Sequence, residues 1–268
     1  MMHTYGLGYG GAGFAISYPL AMQLEKVLDG CIDRYSYMHG SDERIGACLH
    51  EMGVPLTIEL GFHQVDIRGD LYGLLAAHPI APLVSLHHLD EVKPIFPTGM
   101  NQIESLENLA GAYTMDPGRT LQQSICHDFK RKWSVSVSWG YTVQIYPRLT
   151  FQTWKSWGNE PFTFNTRPIS PEPCDRPLVY FLDNVDRVGE NDETLTSYKR
   201  FVPEPGWNDC NRDDFRSVFA VHTVNITSPR MDPVEWSKAP RRQCCEITSP
   251  MDGTDNTVVQ VRIKRCHF

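Results

Sequence analysis

The sequence predicts two parts, an α/β layer over residues 1–92 and a β-rich part over residues 93–268. Three observations carry that expectation. Helix-spaced apolar positions alternate with short apolar runs up to about residue 90. A passage holding Pro94, Pro97 and Gly99 then interrupts the pattern. Beyond it, every odd position from Trp133 to Ile145 is apolar and every even one is Ser, Gly, Thr or Gln. That period of two belongs to strands.

The elements follow in order. Residues 6–16 begin with a glycine-dense run, Gly6, Gly8, Gly10, Gly11 and Gly13, which lets backbone pass close to a ligand or another strand. Leu20, Met22, Leu24, Val27 and Leu28 suit a helix from Ser17 to Asp29 that Gly30 closes. In a second helix, over 42–52, Ile45, Cys48, Leu49 and Met52 share one face. Ser41 or Asp42 is its expected N-cap and Gly53 its stop. Residues 54–58, 62–67 and 82–87 read as strands, with a helix near 70–77. A helix over Gln102–Ala112 follows, then a strand over 133–145 bent near Gly140, and further strands at 178–182, 217–226 and 257–264.

Composition narrows the function. With 25 basic and 32 acidic side chains the net charge is −7, and no basic run offers a footprint for nucleic acid. The longest apolar stretch, Leu71–Pro82, is broken by His78 and Pro79. It falls short of the ~20 residues that span a bilayer, so no membrane segment is expected. Eight cysteines without a CxxC pair argue against a zinc ribbon, and they permit 105 connectivities. Asn225-Ile226-Thr227 is a glycosylation sequon that matters only in the secretory pathway. The start carries no Lys or Arg before Lys26 and is no secretory signal. The chain is therefore expected to be cytosolic or a piece of a longer, anchored protein.

Few residues point to chemistry by themselves. Asp42 stands where a helix begins, either as a plain cap or as a carboxylate that the dipole keeps ionised for general-base work. Glu43 is a second choice of base. His63 reads as a packed histidine or a metal ligand, and His87 and His88, as neighbours on a strand, are not expected to face one ion. Trp133, Trp139, Trp154 and Trp157 read as core or as platforms for a sugar ring.

A resemblance extends these readings. Tyr9-Gly10-Gly11-Ala12-Gly13-Phe14-Ala15-Ile16-Ser17, Cys31, Ser41-Asp42, Gly46-Ala47-Cys48-Leu49 and Phe62-His63 resemble the fringe-like beta-1,3-glycosyltransferases, the group that includes core-1 galactosyltransferase. Pro82-Leu83-Val84-Ser85-Leu86-His87-His88-Leu89-Asp90, Gln122-Gln123-Ser124-Ile125-Cys126 and Pro240-Arg241-Arg242-Gln243-Cys244-Cys245 are similar to the plant subgroup. The match extends over nearly the whole chain.

The resemblance implies a Rossmann-like (A-type) glycosyltransferase domain, here its C-terminal portion over 1–92, followed by the β-rich plant-type extension. It implies inverting transfer from a UDP-sugar to a hydroxyl of a glycan or glycoprotein acceptor in the Golgi lumen. Asp42 would be the catalytic base, Gly10, Gly11 and Gly13 would border the substrate cleft, and His63 would help hold Mn2+. Cys31 and Cys48 would bond to each other. The family places an Asp-x-Asp metal motif ahead of the glycine-rich turn, and no Asp-x-Asp occurs anywhere in the 268 residues. The chain is thus expected to lack the donor-binding half and to be inactive alone. The alternative expectation is a catalytically silent glycan-binding or scaffolding fragment.

Overall fold

The computed structural model describes residues 8–59, 61–63, 70–77, 84–148, 171–189, 192–212, 216–232, 234, 243–249 and 257–266. They divide into two compact units, one of residues 1–67 with 83–91 and one of residues 68–82 with 92–268.

The first unit is built on three helices, α1 (Tyr18–Glu25), α2 (Leu28–Arg34) and α3 (Ser41–Glu51). The sequence predicts one helix over 17–29, but the chain breaks after Lys26 and winds again, with Gly30 inside α2. The restart places Cys31 against Leu24 and Cys48, with Ile16, Leu28, Tyr35, Leu49 and Met52 packed around them. Cys31 is bonded to Cys48, tying α2 to α3. The Arg34 guanidinium donates to both Glu51 carboxylate oxygens at 2.8 and 2.9 Å, joining the same two helices at the surface. Of the expected strands, residues 54–58 form none. Only Phe62–His63 (β1) and Ser85–Leu86 (β2) pair, in parallel, two residues each. Residues 64–67, 82 and 83 lie outside the described residues.

The second unit is a sheet. Its strands are β3 (Gln123–Asp128), β4 (Trp133–Ser138), β5 (Thr142–Tyr146), β6 (Leu178–Val188), β7 (Glu193–Phe201), β8 (Thr223–Ser228), β9 (Cys244–Ile247) and β10 (Val258–Lys264), in the order β3-β4-β5-β6-β7-β8-β10-β9. Every pairing is antiparallel except β8 with β10. Helices α4 (Tyr72–Ala77), α5 (Gln102–Met115) and α6 (Arg216–Phe219) and a 3-10 turn at Pro173–Asp175 complete the described elements.

The two edge strands meet. The Cys126–Cys245 disulfide joins β3 to β9, and Arg131 in the β3–β4 turn donates to the Ser249 carbonyl at 3.1 Å. The eight strands therefore make a nearly closed barrel, an arrangement that leaves little unpaired edge. The expected α/β, Rossmann-like glycosyltransferase fold is overturned by this sheet. Parallel strands need a crossover of a dozen or more residues, usually a helix. Here β3 to β8 are sequence neighbours that pair antiparallel side by side, with turns of only three or four residues between β3 and β4, β4 and β5, and β6 and β7, too short for a crossover helix.

Burial shows how the patterned segment works. The strand expected over 133–145 is a hairpin, β4 and β5, with its turn at 139–141. Gly140 has φ +76°, and a Cβ on it would lie 2.7 Å from that of Ala112 in α5, so only glycine fits. Val135, Val137, Val143 and Ile145 are buried on one face, each contributing about 1.5–3 kcal/mol. Ser134, Ser136 and Ser138 on the other face are buried as well, and Ser138 Oγ donates to the Leu75 carbonyl of α4 at 2.7 Å. A helix capped by Asn101, which accepts from Glu104 N–H at 3.0 Å while Glu104 accepts from Asn101 N–H at 2.8 Å, runs three residues beyond its expected end at Ala112.

A buried ion pair lies just ahead of β3 in the chain. Asp116 and Arg119 are each about 1% exposed, with Nε donating to Oδ2 at 3.0 Å. Asp116 also accepts from Met231 N–H at 2.9 Å, and Arg119 donates to Gln243 and to the Pro229 carbonyl. Burial pulls the Arg119 pKa down, and Asp116 opposes that pull. The pair thus binds the entry of β3 to the segments that leave β8 and enter β9.

All eight cysteines are paired, the other two bridges being Cys174–Cys210 and Cys244–Cys266. Among the described residues, no helix is long and apolar enough to cross a membrane.

Candidate functional site

The first unit gathers most of the residues that the sequence singles out. The glycine-dense segment turns at Gly10–Ala12, closed by Gly13 N–H donating to the Tyr9 carbonyl at 3.1 Å. Gly13 has φ +92°, a left-handed value that glycine accepts without strain, and the ring of Phe62 lies where a Cβ would be in contact at 3.5 Å.

Asp42 reaches this turn from the start of α3. Neither Ser41 nor Asp42 is the N-cap; Gly40 is, which puts Asp42 in the first turn. Its Oδ2 accepts the Gly10 N–H at 2.8 Å and its Oδ1 accepts the Glu43 N–H at 2.9 Å. Charge-assisted bonds of this kind are about twice as strong as neutral ones. The carboxylate stays half-buried, so solvent-side lone pairs remain in reach of a ligand. Glu43, the alternative base, turns back to accept the Gly40 N–H at 3.3 Å.

The loop before α3 is tied down. Arg44 donates to the Met38 carbonyl at 2.8 Å and to the Ser36 carbonyl at 3.0 Å. With the Cys31–Cys48 bridge, the pairing that the resemblance implies, this fixes the direction in which Asp42 leaves the helix.

From another side the turn meets β2. Ser85 Oγ donates to the Ala12 carbonyl, and the His87 ring packs against Gly11, where a Cβ would overlap the imidazole. His63 sits on the adjacent strand, opposite Leu86, and is placed by its backbone alone. The structure thus brings Gly10, Gly11, Gly13 and Asp42 together and sets the His63 backbone one strand from His87.

Sequence reasoning missed Ser85, and it weighed His87 only as a strand neighbour of His88. His87 and His88 were expected to diverge. The strand ends at Leu86, however, and His88 has φ +58°, and the two rings lie with centroids 3.6 Å apart and planes tilted by 37°. His88 also lies 3.6 Å from the Asp90 carboxylate.

Among the described residues, no three His, Cys, Asp or Glu side chains converge as metal ligands, while a divalent transition ion takes about four to six; the side chain of His63 lies outside the described residues. Trp133 and Trp139 are buried in the core and offer no face to a sugar, while Trp154 and Trp157 lie outside the described residues.

No curated protein matches the chain. Residues 1–245 match the model of the family described as "Protein of unknown function, DUF604", and the chain belongs to that family.

Proposed function

We propose that the chain takes part in inverting, nucleotide-sugar-dependent glycosyl transfer of the fringe-like kind, its first unit binding and activating the acceptor. The observation that carries this reading is the Asp42 carboxylate, held by the Gly10 N–H at 2.8 Å yet left half-buried beside the glycine turn. A base must be oriented and reachable, and what supports Asp42 is that the Gly10 and Glu43 N–H groups hold its carboxylate while the residue stays half-buried. Asp42 takes the proton of an acceptor hydroxyl as that oxygen bonds to C1 of the donor sugar. The C1–O bond to UDP breaks, and the diphosphate leaves with the electron pair. The attack comes from the face opposite the leaving group, which inverts C1.

The test is transfer by the natural full-length polypeptide, secreted from eukaryotic cells and supplied with UDP-sugars and glycan acceptors. Asp42→Asn lowers kcat at least ~100-fold while UDP binding holds. An unchanged kcat removes Asp42 from this role.

A second reading, glycan binding without transfer, is favoured by Tyr9 and Phe14, which flank the turn and are 43% and 39% exposed. Exposed rings beside a polar turn suit the apolar face of a sugar. Retention of a glycan by both wild type and Asp42→Asn, with no UDP release by either, selects this reading.

A further inference from the structure

We infer that Asn225 carries an N-linked glycan, displayed on the outer face of the barrel. Asn225-Ile226-Thr227 is the one Asn-x-Ser/Thr sequon in the chain, and a sequon alone decides little. Two independent structural observations decide it here.

The first is the compartment that the cysteines require. All eight are paired, in bridges that span 17, 119, 36 and 22 residues of sequence. Such bridges persist in oxidising compartments and are rare where glutathione keeps thiols reduced. A chain that forms them in the secretory lumen is also exposed to the enzyme that glycosylates nascent sequons.

The second is the direction of the side chain. Along β8 the burial alternates: Val224, Ile226 and Ser228 are buried, while Thr223, Asn225 and Thr227 are half-buried. Because i and i+2 share a face, Asn225 and Thr227 both lie on the face turned from the core. Directly across from Asn225 are Ser197 on β7 and Gln260 on β10. Ser197 is small and Gln260 is exposed, so this polar row leaves room for a sugar at the amide nitrogen. One residue along, the row of Tyr198, Val224 and Val259 is buried. A shift of one position would therefore have pointed the asparagine into the core.

The reaction balances without help from this chain. Asn225 Nδ2 bonds to C1 of the first sugar of a lipid-linked oligosaccharide. The C1–O bond to the lipid diphosphate breaks and its electron pair leaves with the diphosphate, while one amide proton passes to the transferase's base. The bulky, hydrated product shields the outer face of β7, β8 and β10.

The experiment uses protein isolated from the cells that make it, treated in 18O-labelled water with an amidase that cleaves Asn-linked glycans. The expected result is a single mobility shift and a peptide in which position 225 has become 18O-labelled aspartate. Asn225→Gln and Thr227→Ala each abolish the shift, and Thr227→Ser keeps it, which separates loss of the sequon from loss of the fold. Recovery of the peptide with an unmodified Asn225 overturns the inference, whichever compartment the protein came from.

Discussion

The imidazole of His87 occupies the space that a side chain on Gly11 would need. Two residues 76 positions apart (87 − 11) are therefore complementary in volume, and the turn that holds Asp42 rests on a histidine as well as on its own glycines. Gly11→Ala is expected to destabilise the first unit by about 1–3 kcal/mol, the usual cost of overpacking. Adding His87→Ala removes the clash, so the double variant recovers most of that loss. Denaturant unfolding of the four members of the cycle checks this, and strict additivity would show that the ring does not rest there.

Removing one partner of the buried Asp116–Arg119 pair leaves the other charge without compensation. Arg119→Met is expected to cost about 3–5 kcal/mol, read as a lower thermal midpoint. Asp116→Asn with Arg119→Met together should cost less than Arg119→Met alone, because no orphaned carboxylate remains.

The Cys126–Cys245 bridge closes the sheet between its two edge strands and spans 119 residues. Its replacement by Ala at both positions is expected to lower stability by about 2–5 kcal/mol. Hydrogen exchange should then rise first in β3 and β9, the strands that lose a neighbour. Uniform protection across the sheet would mean that hydrogen bonds alone hold the closure.

Tyr198 is buried with its hydroxyl oxygen accepting the Gly140 N–H at 2.9 Å, and burial pushes its pKa from 10.0 up to about 12. Burial raises Tyr180 and Tyr141 as well. In the unfolded chain these phenols lose their protons first, so the unfolded state binds fewer protons above pH 10. Stability is thus full below pH 10 and falls as pH climbs from about 10 to about 12. Tyr198→Phe should flatten that fall in an alkaline unfolding titration monitored by circular dichroism.

Several parts of this architecture can be read along the chain. The helix read over Gln102–Ala112 forms as α5, because helical propensity and capping, here by Asn101 and Glu104, are settled within a turn. The alternation from Trp133 to Ile145 announces strands because a pleat has a period of two, and Gly140 marks where they fold back. Asp42 and the glycine-dense run are conspicuous for the same local reasons: a helix start favours a carboxylate, and a tight turn favours glycine.

Tertiary structure decided the rest. Apolar alternation states that a strand has two faces, but not which strand lies beside it, so neither the order β8-β10-β9 nor the closure through Cys126 and Cys245 follows from it. The same holds at the site. Local sequence places Asp42 at a helix start and His87 near a strand end, whereas the Gly10 N–H on the carboxylate and the ring on Gly11 exist only after distant segments pack. Local order is set by backbone sterics and hydrogen bonds within a few residues. Partners across tens of residues are chosen by whichever packing satisfies burial and hydrogen bonding everywhere at once.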